Sequence, residues 1–130
     1  MAYYVDTSAL VKLIVAETET TALRRWLTKA DQVLVTSDLS RTELMRAVRR
    51  AAPDRAPRVR EVLDAFTLTQ LTPAAFSEAG RLDPLGLRPL DALHLASALN
   101  LDDDLEGIVT YDHRMADAAT TNGIAVLAPR

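Results

Sequence analysis

Along the chain, stretches with apolar residues in unbroken or alternating runs give way repeatedly to stretches in which they recur every three or four positions. Residues 3–5 are β-favouring and stop at an acid, Asp6, after which Leu10, Leu13 and Ile14 take up helical spacing. Leu23, Trp26, Leu27 and Ala30 give an amphipathic helix over 20–30, with Trp26 as its core anchor and Arg24, Arg25 and Lys29 outward. A buried-type strand follows at 33–36, and Ser37-Asp38 offers N-cap oxygens to a helix reaching about residue 52. Pro53 ends that helix, and Pro57 suits the first turn of the next, which runs to about 66 and completes a helical hairpin.

The second half repeats the scheme. A strand is expected at 67–71, a helix opened by Thr72-Pro73 reaching about 81, and a turn-rich loop at 83–88. The segment 89–100 is apolar on most sides and therefore predicts a buried helix. Residues 107–111 read as a buried strand ending on Asp112, 113–121 as a helix stopped by Asn122-Gly123, and 124–127 as a closing strand. Alternating strands and helices predict a single α/β domain over 1–130, an α/β/α sandwich around a mainly parallel sheet of four or five strands.

Composition narrows the chemistry. The 130 residues contain no cysteine, which excludes a disulfide framework, a thiol nucleophile and a thiolate zinc site, and fits a reducing compartment, with the cytoplasm as the expectation. Neither a signal-peptide pattern nor the roughly 20 apolar residues of a membrane span is present, so a soluble, unprocessed protein is expected. The net charge of −3 speaks against a general nucleic-acid coat protein, but the charge is uneven. Residues 41–60 hold seven arginines against Glu43 and Asp54, a local +5, which leaves −8 for the remainder. Such a block either binds phosphate or an acidic partner or is a solvated helical face.

Four acids interrupt apolar stretches at or near strand ends and helix starts: Asp6, Glu43, Asp91 and Asp112. In parallel sheets ligands bind at the carboxyl ends of the strands, so these acids are placed to share a site. Four unpaired carboxylates repel one another, by about 4 kcal/mol for a pair about 4 Å apart at an effective dielectric near 20. A divalent cation relieves that repulsion, and carboxylates without cysteine suit Mg²⁺ or Mn²⁺ and, through it, phosphodiester hydrolysis. Bland readings stand beside this one: Asp6 as a helix cap, Ser40-Arg41-Thr42-Glu43 as a capping box, His94 as a satisfied core histidine and His113 as an exposed one. The run Asp102-Asp103-Asp104 lacks the spacing of a calcium loop and reads as solvated.

The ordered set VDTSAL, TEL, PLDALHLASAL and VTYDHRM resembles the PIN-domain nucleases, in particular the VapC toxins of toxin-antitoxin pairs, over nearly the whole chain. The resemblance implies a metal-dependent endoribonuclease, a cognate VapB-like antitoxin and a homodimer. It carries Asp6, Glu43, Asp91 and Asp112 over as the catalytic, metal-binding acids, and Thr7, Ser8, Thr110 and Arg114 as supporting residues. Asp117 is a further acid that either assists a second ion or faces solvent, with solvent the expectation. Arg41, Arg46, Arg49 and Arg50 are candidates for RNA or antitoxin contact, and with only six aromatic residues, phosphate contacts outrank base stacking. Two other functions compete: a receiver-like domain with Asp6 as phosphoacceptor, and a non-catalytic module whose basic hairpin binds an acidic partner.

Overall fold

The computed structural model describes all 130 residues, Met1–Arg130. Its strands are β1 (Ala2–Val5), β2 (Val33–Ser37), β3 (Thr67–Thr69), β4 (Leu105–Val109) and β5 (Val126–Leu127). They form one sheet in the order β3-β2-β1-β4-β5, and every pairing is parallel. The expected α/β class and parallel sheet are observed, with five strands and β1 at the centre.

Helices fill the crossovers that parallel strands require. These are α1 (Thr7–Lys12), α2 (Thr20–Lys29), α3 (Leu39–Ala51), α4 (Arg58–Asp64), α5 (Pro73–Ala79), α6 (Pro89–Leu99) and α7 (His113–Thr121). Because side chains alternate along a strand, neighbouring residues of β1 and β4 feed opposite cores. Tyr4 and Ile108 pack with Leu95, Ala98, Met115, Ala118 and Ala119 on one face, whereas Val5 and Val109 pack with Leu10, Leu23, Leu44 and Val48 on the other. Residues 92–98 of α6 are all buried, as its nearly uniform apolarity predicts. Trp26 lies edge-on against Tyr3, their ring centroids 4.8 Å apart.

Three local expectations are corrected. β4 starts at Leu105 and stops at Val109, two residues before the expected range, so Tyr111 and Asp112 lie in the turn that follows. The pattern misleads there because the register slips: Ala2 pairs with Leu105 but Tyr3 pairs with Gly107, which leaves Glu106 as an extra residue. β5 contains only Val126 and Leu127, since residues 122–125 turn the chain out of α7. Finally, Ser40 to Glu43 do not form a capping box. α3 begins at Leu39 behind Asp38, whose carboxylate accepts from Arg41 rather than from the helix end, so Ser40 is already inside the helix.

Candidate active site

β1 and β4 end side by side, with Val5 opposite Val109, and the residues that leave them build the first half of the site. Asp6 caps α1, its carboxylate accepting from the Ser8 backbone N–H at 2.9 Å, the Ser8 hydroxyl at 2.5 Å and the Thr110 hydroxyl at 2.6 Å. The Ser8 hydroxyl in turn accepts from the Tyr111 N–H, and that of Thr110 from the Asp112 N–H. Ser8 and Thr110 thus both donate hydroxyls to Asp6. Asp6 is only 4% exposed. Burial pushes its carboxyl above the ordinary aspartate value despite the opposing bonds from Ser8 and Thr110.

Asp112 caps α7 as Asp6 caps α1, accepting from the N–H groups of Arg114 and Met115. Asp91 lies in the first turn of α6. The two are tied together by Arg88, whose guanidinium reaches Asp91 at 3.0 Å and Asp112 at 3.5 Å. A residue expected only as part of a loop therefore sits between two of the four acids.

Glu43 reaches the same edge from α3. Its Oε1 accepts from the Thr7 hydroxyl at 2.8 Å and is hydrogen-bonded to Nε2 of His94. Burial pushes the Glu43 carboxyl up, but the bonds to His94 and Thr7 and the positive charge of Arg88 outweigh it and hold it below the usual glutamate value. Behind His94, Nδ1 meets the hydroxyl of Tyr4 at 2.7 Å, and burial pushes that phenol far above the ordinary tyrosine range. Ser40 completes this side, its hydroxyl 2.8 Å from that of Thr36 and 3.3 Å from that of Thr7.

The polar contacts thus form two sets: Thr110 and Arg88 connect Asp6, Asp112 and Asp91, while Glu43 is held by Thr7 and His94, and the sets adjoin where Thr7 follows Asp6 in the chain. As the side chains stand, no three acids or histidines face one point closely enough to grasp an ion directly. The donor set nevertheless fits a hard cation: it consists of carboxylates and hydroxyls with no sulfur, Oε2 of Glu43 has no protein donor, and Asp6 is a buried carboxylate that a positive charge would relieve. Arg114 contributes its backbone N–H while its side chain is exposed, and Asp117 faces solvent as expected. His113 is exposed as well.

Of the basic block, Arg41 pairs with Asp38, Arg58 with Glu61, and Arg55 donates to the Ile14 carbonyl. Arg46, Arg49 and Arg50 have no carboxylate within ion-pairing distance and line a cleft with Pro53. Tyr4 and Arg88 are the neighbours of the acids that sequence reasoning missed, whereas His94 is the satisfied core histidine that was expected, its partners being Tyr4 and Glu43. For His94 a signal was present: three positions after Asp91 on a helix, it projects on the same face.

Comparisons with known proteins identify the family and the fold. The PIN domain family matches residues 3–120. Ribonuclease VapC47 of Mycobacterium tuberculosis is 42% identical over 130 residues, with 97% of this chain and 96% of the relative covered. Among solved structures, M. tuberculosis VapC20, described as a sarcin-ricin loop cleaving toxin, superposes with a TM-score of 0.79 at 16% identity, covering 98% of this chain and 99% of that one. A toxin-antitoxin complex from Klebsiella pneumoniae aligns with a TM-score of 0.72 at 20% identity, over 100% of this chain and 98% of that one.

Proposed function

Because the chain belongs to the PIN domain family, we propose that it is a Mg²⁺- or Mn²⁺-dependent endoribonuclease, the toxin of a toxin-antitoxin pair, acting as a single nuclease domain over residues 1–130. The observation that carries this reading is the buried Asp6 carboxylate at the carboxyl edge of the sheet, connected through Thr110 and Arg88 to Asp112 and Asp91, with Glu43 held beside it by Thr7, the residue that follows Asp6. Those four acids would hold the ion. When bound, it lowers the pKa of a water and stabilises the oxygen that leaves phosphorus.

The protein's own groups do the rest. Ser8 and Thr110 fix the direction of the Asp6 carboxylate, Thr7 does so for Glu43, and the backbone N–H groups of α7 fix Asp112. Arg88 balances Asp91 and Asp112, and its exposed position at the site's rim suits an approaching phosphate. A water adds to phosphorus and gives up a proton to solvent, the P–O bond to one ribose breaks, and the released oxygen takes up a proton from solvent, so that one water is consumed for each bond cleaved. Neither His94 nor His113 is required as the base.

RNA is the substrate in this reading and a VapB-like antitoxin the inhibitor. Supporting a homodimer, Phe76 and Leu85 leave large apolar surfaces exposed along one groove beside α5 and α6. The cytoplasm is the site of action in this reading, and no helix is long and apolar enough to cross a membrane. The decisive assay is cleavage of cellular RNA by the purified chain. Activity is expected with Mg²⁺ or Mn²⁺, none with chelator and none for Asp6→Asn, which should also relieve growth arrest on expression. Cleavage that survives Asp6→Asn removes the proposed site.

A further inference from the structure

We infer that His94, backed by Tyr4, is a positioning residue that aims the Glu43 carboxylate at the ion; the inference rests on the metal-dependent reading above. Its starting point is the place of His94 in the fold. α6 is buried from residue 92 to residue 98, and in that apolar setting an imidazole 2% exposed has both ring nitrogens engaged. Buried polar groups of this kind are held by specific partners, and here the partners come from two other elements. Tyr4 is on the central strand β1, and Glu43 is on α3.

The chemistry of the three groups gives the chain a direction. A neutral phenol donates its proton most readily to an imidazole nitrogen, so Nδ1 of His94 is the acceptor and the ring proton resides on Nε2. Nε2–H then points at Oε1 of Glu43, to which Thr7 donates as well. Both donors fall on the same oxygen. Oε2 is left without a protein donor and is not sealed from solvent, so the free oxygen of Glu43 faces the space in which a ligand can meet it. A glutamate has three rotatable side-chain bonds, and two donors on one oxygen remove most of that freedom.

A histidine that served packing alone would alter stability and leave ion binding unchanged per folded molecule. The test therefore measures Mn²⁺ affinity by titration calorimetry on the folded wild-type chain, His94→Leu, His94→Gln, Tyr4→Phe and Asp6→Asn, together with melting curves. The expected result is Mn²⁺ binding about 10–100-fold weaker in His94→Leu, the loss typical of a removed outer partner of a metal ligand. His94→Gln, which retains an N–H donor, is expected to recover much of that loss, and Tyr4→Phe, which preserves ring packing, to show a smaller loss. Long-range proton–nitrogen spectra of the metal-free protein should show the Nε2–H tautomer.

Folded His94→Leu that binds Mn²⁺ as tightly as wild type overturns the inference, and so does a wild-type Nδ1–H tautomer. If His94→Leu does not fold, Tyr4→Phe and the tautomer decide: wild-type affinity in Tyr4→Phe counts against the inference and a loss for it. Failure of the wild-type chain itself to bind Mn²⁺ would sink the nuclease reading, and His94 would then have no ion to position.

Discussion

Replacing Asp6 by asparagine should stabilise the metal-free protein while destroying its activity. The substitution keeps the shape of the side chain and an oxygen for the Ser8 donors, and the Thr110 hydroxyl can rotate to accept from the new amide. What it removes is a charge 4% exposed to solvent. The direction follows from linkage. Because burial raises the folded-state pKa of Asp6, the folded protein holds the proton more tightly than the unfolded chain does. The associated stability is fully present below the unfolded aspartate value of 3.8 and is lost as pH rises through the higher native value. Asparagine is indifferent to pH, so the mutant's advantage should be absent at the acid end, grow through that window and level off above it. Well-tolerated stabilising changes contribute roughly 0.5–2 kcal/mol, and about 1 kcal/mol moves the melting temperature of a chain this size by about 3–6 °C. Calorimetry in chelator at neutral pH should therefore show a rise of several degrees. A divalent ion reverses the order, since ligand at 100 times its dissociation constant adds about 2.7 kcal/mol to whichever form binds it. If Asp6→Asn melts below wild type in chelator at neutral pH, the Ser8 and Thr110 bonds outweigh the burial of the charge, and the reasoning is wrong.

Gly107→Ala should destabilise the fold, because a methyl group there would stand 2.7 Å from Leu127 Cδ1 and 2.9 Å from the Ala125 carbonyl oxygen. Overpacking of this kind costs about 1–3 kcal/mol, readable as a lower urea midpoint with unchanged slope. Changing Arg46, Arg49 and Arg50 together to glutamine should weaken RNA binding without lowering the melting temperature, since none of the three has an ion-pair partner. For single-stranded RNA, the slope of log affinity against log salt should fall by about 2 if all three contact phosphates; an unchanged slope assigns the cleft to something else.

What the sequence reveals about this protein is mainly what is local or periodic. β1, α6 and α7 announce themselves by runs, spacing and caps, and Thr72-Pro73 starts α5 with the expected bond from the Ala75 N–H to Thr72. The four acids stand out because charge is conspicuous in an apolar stretch. Hidden from view are features whose cause is distant. The motif at Ser40 to Glu43 satisfies a local capping rule, yet Glu43 is claimed by His94, 51 residues away, and His94 by Tyr4, 90 residues away. Arg88 reads as part of a turn-rich loop until its reach to Asp112, 24 residues on, is known. The start of β4 is obscured by the register slip against β1, which no alternation pattern reveals.

The central strand has a consequence for the order of events. β1 comprises residues 2–5, but one of its two neighbours begins at Leu105, and the hydroxyl that clasps Asp6 is 104 residues downstream. Contacts of such long range form late in folding, after the entropy of closing the intervening loop has been overcome. A growing chain that has not yet delivered Thr110 has β1 open on one edge and Asp6 held by Ser8 alone. Asp6 is thus synthesised 104 residues before the Thr110 hydroxyl that it accepts from, so a chain that stops short of Thr110 carries the first acids of the site without their geometry.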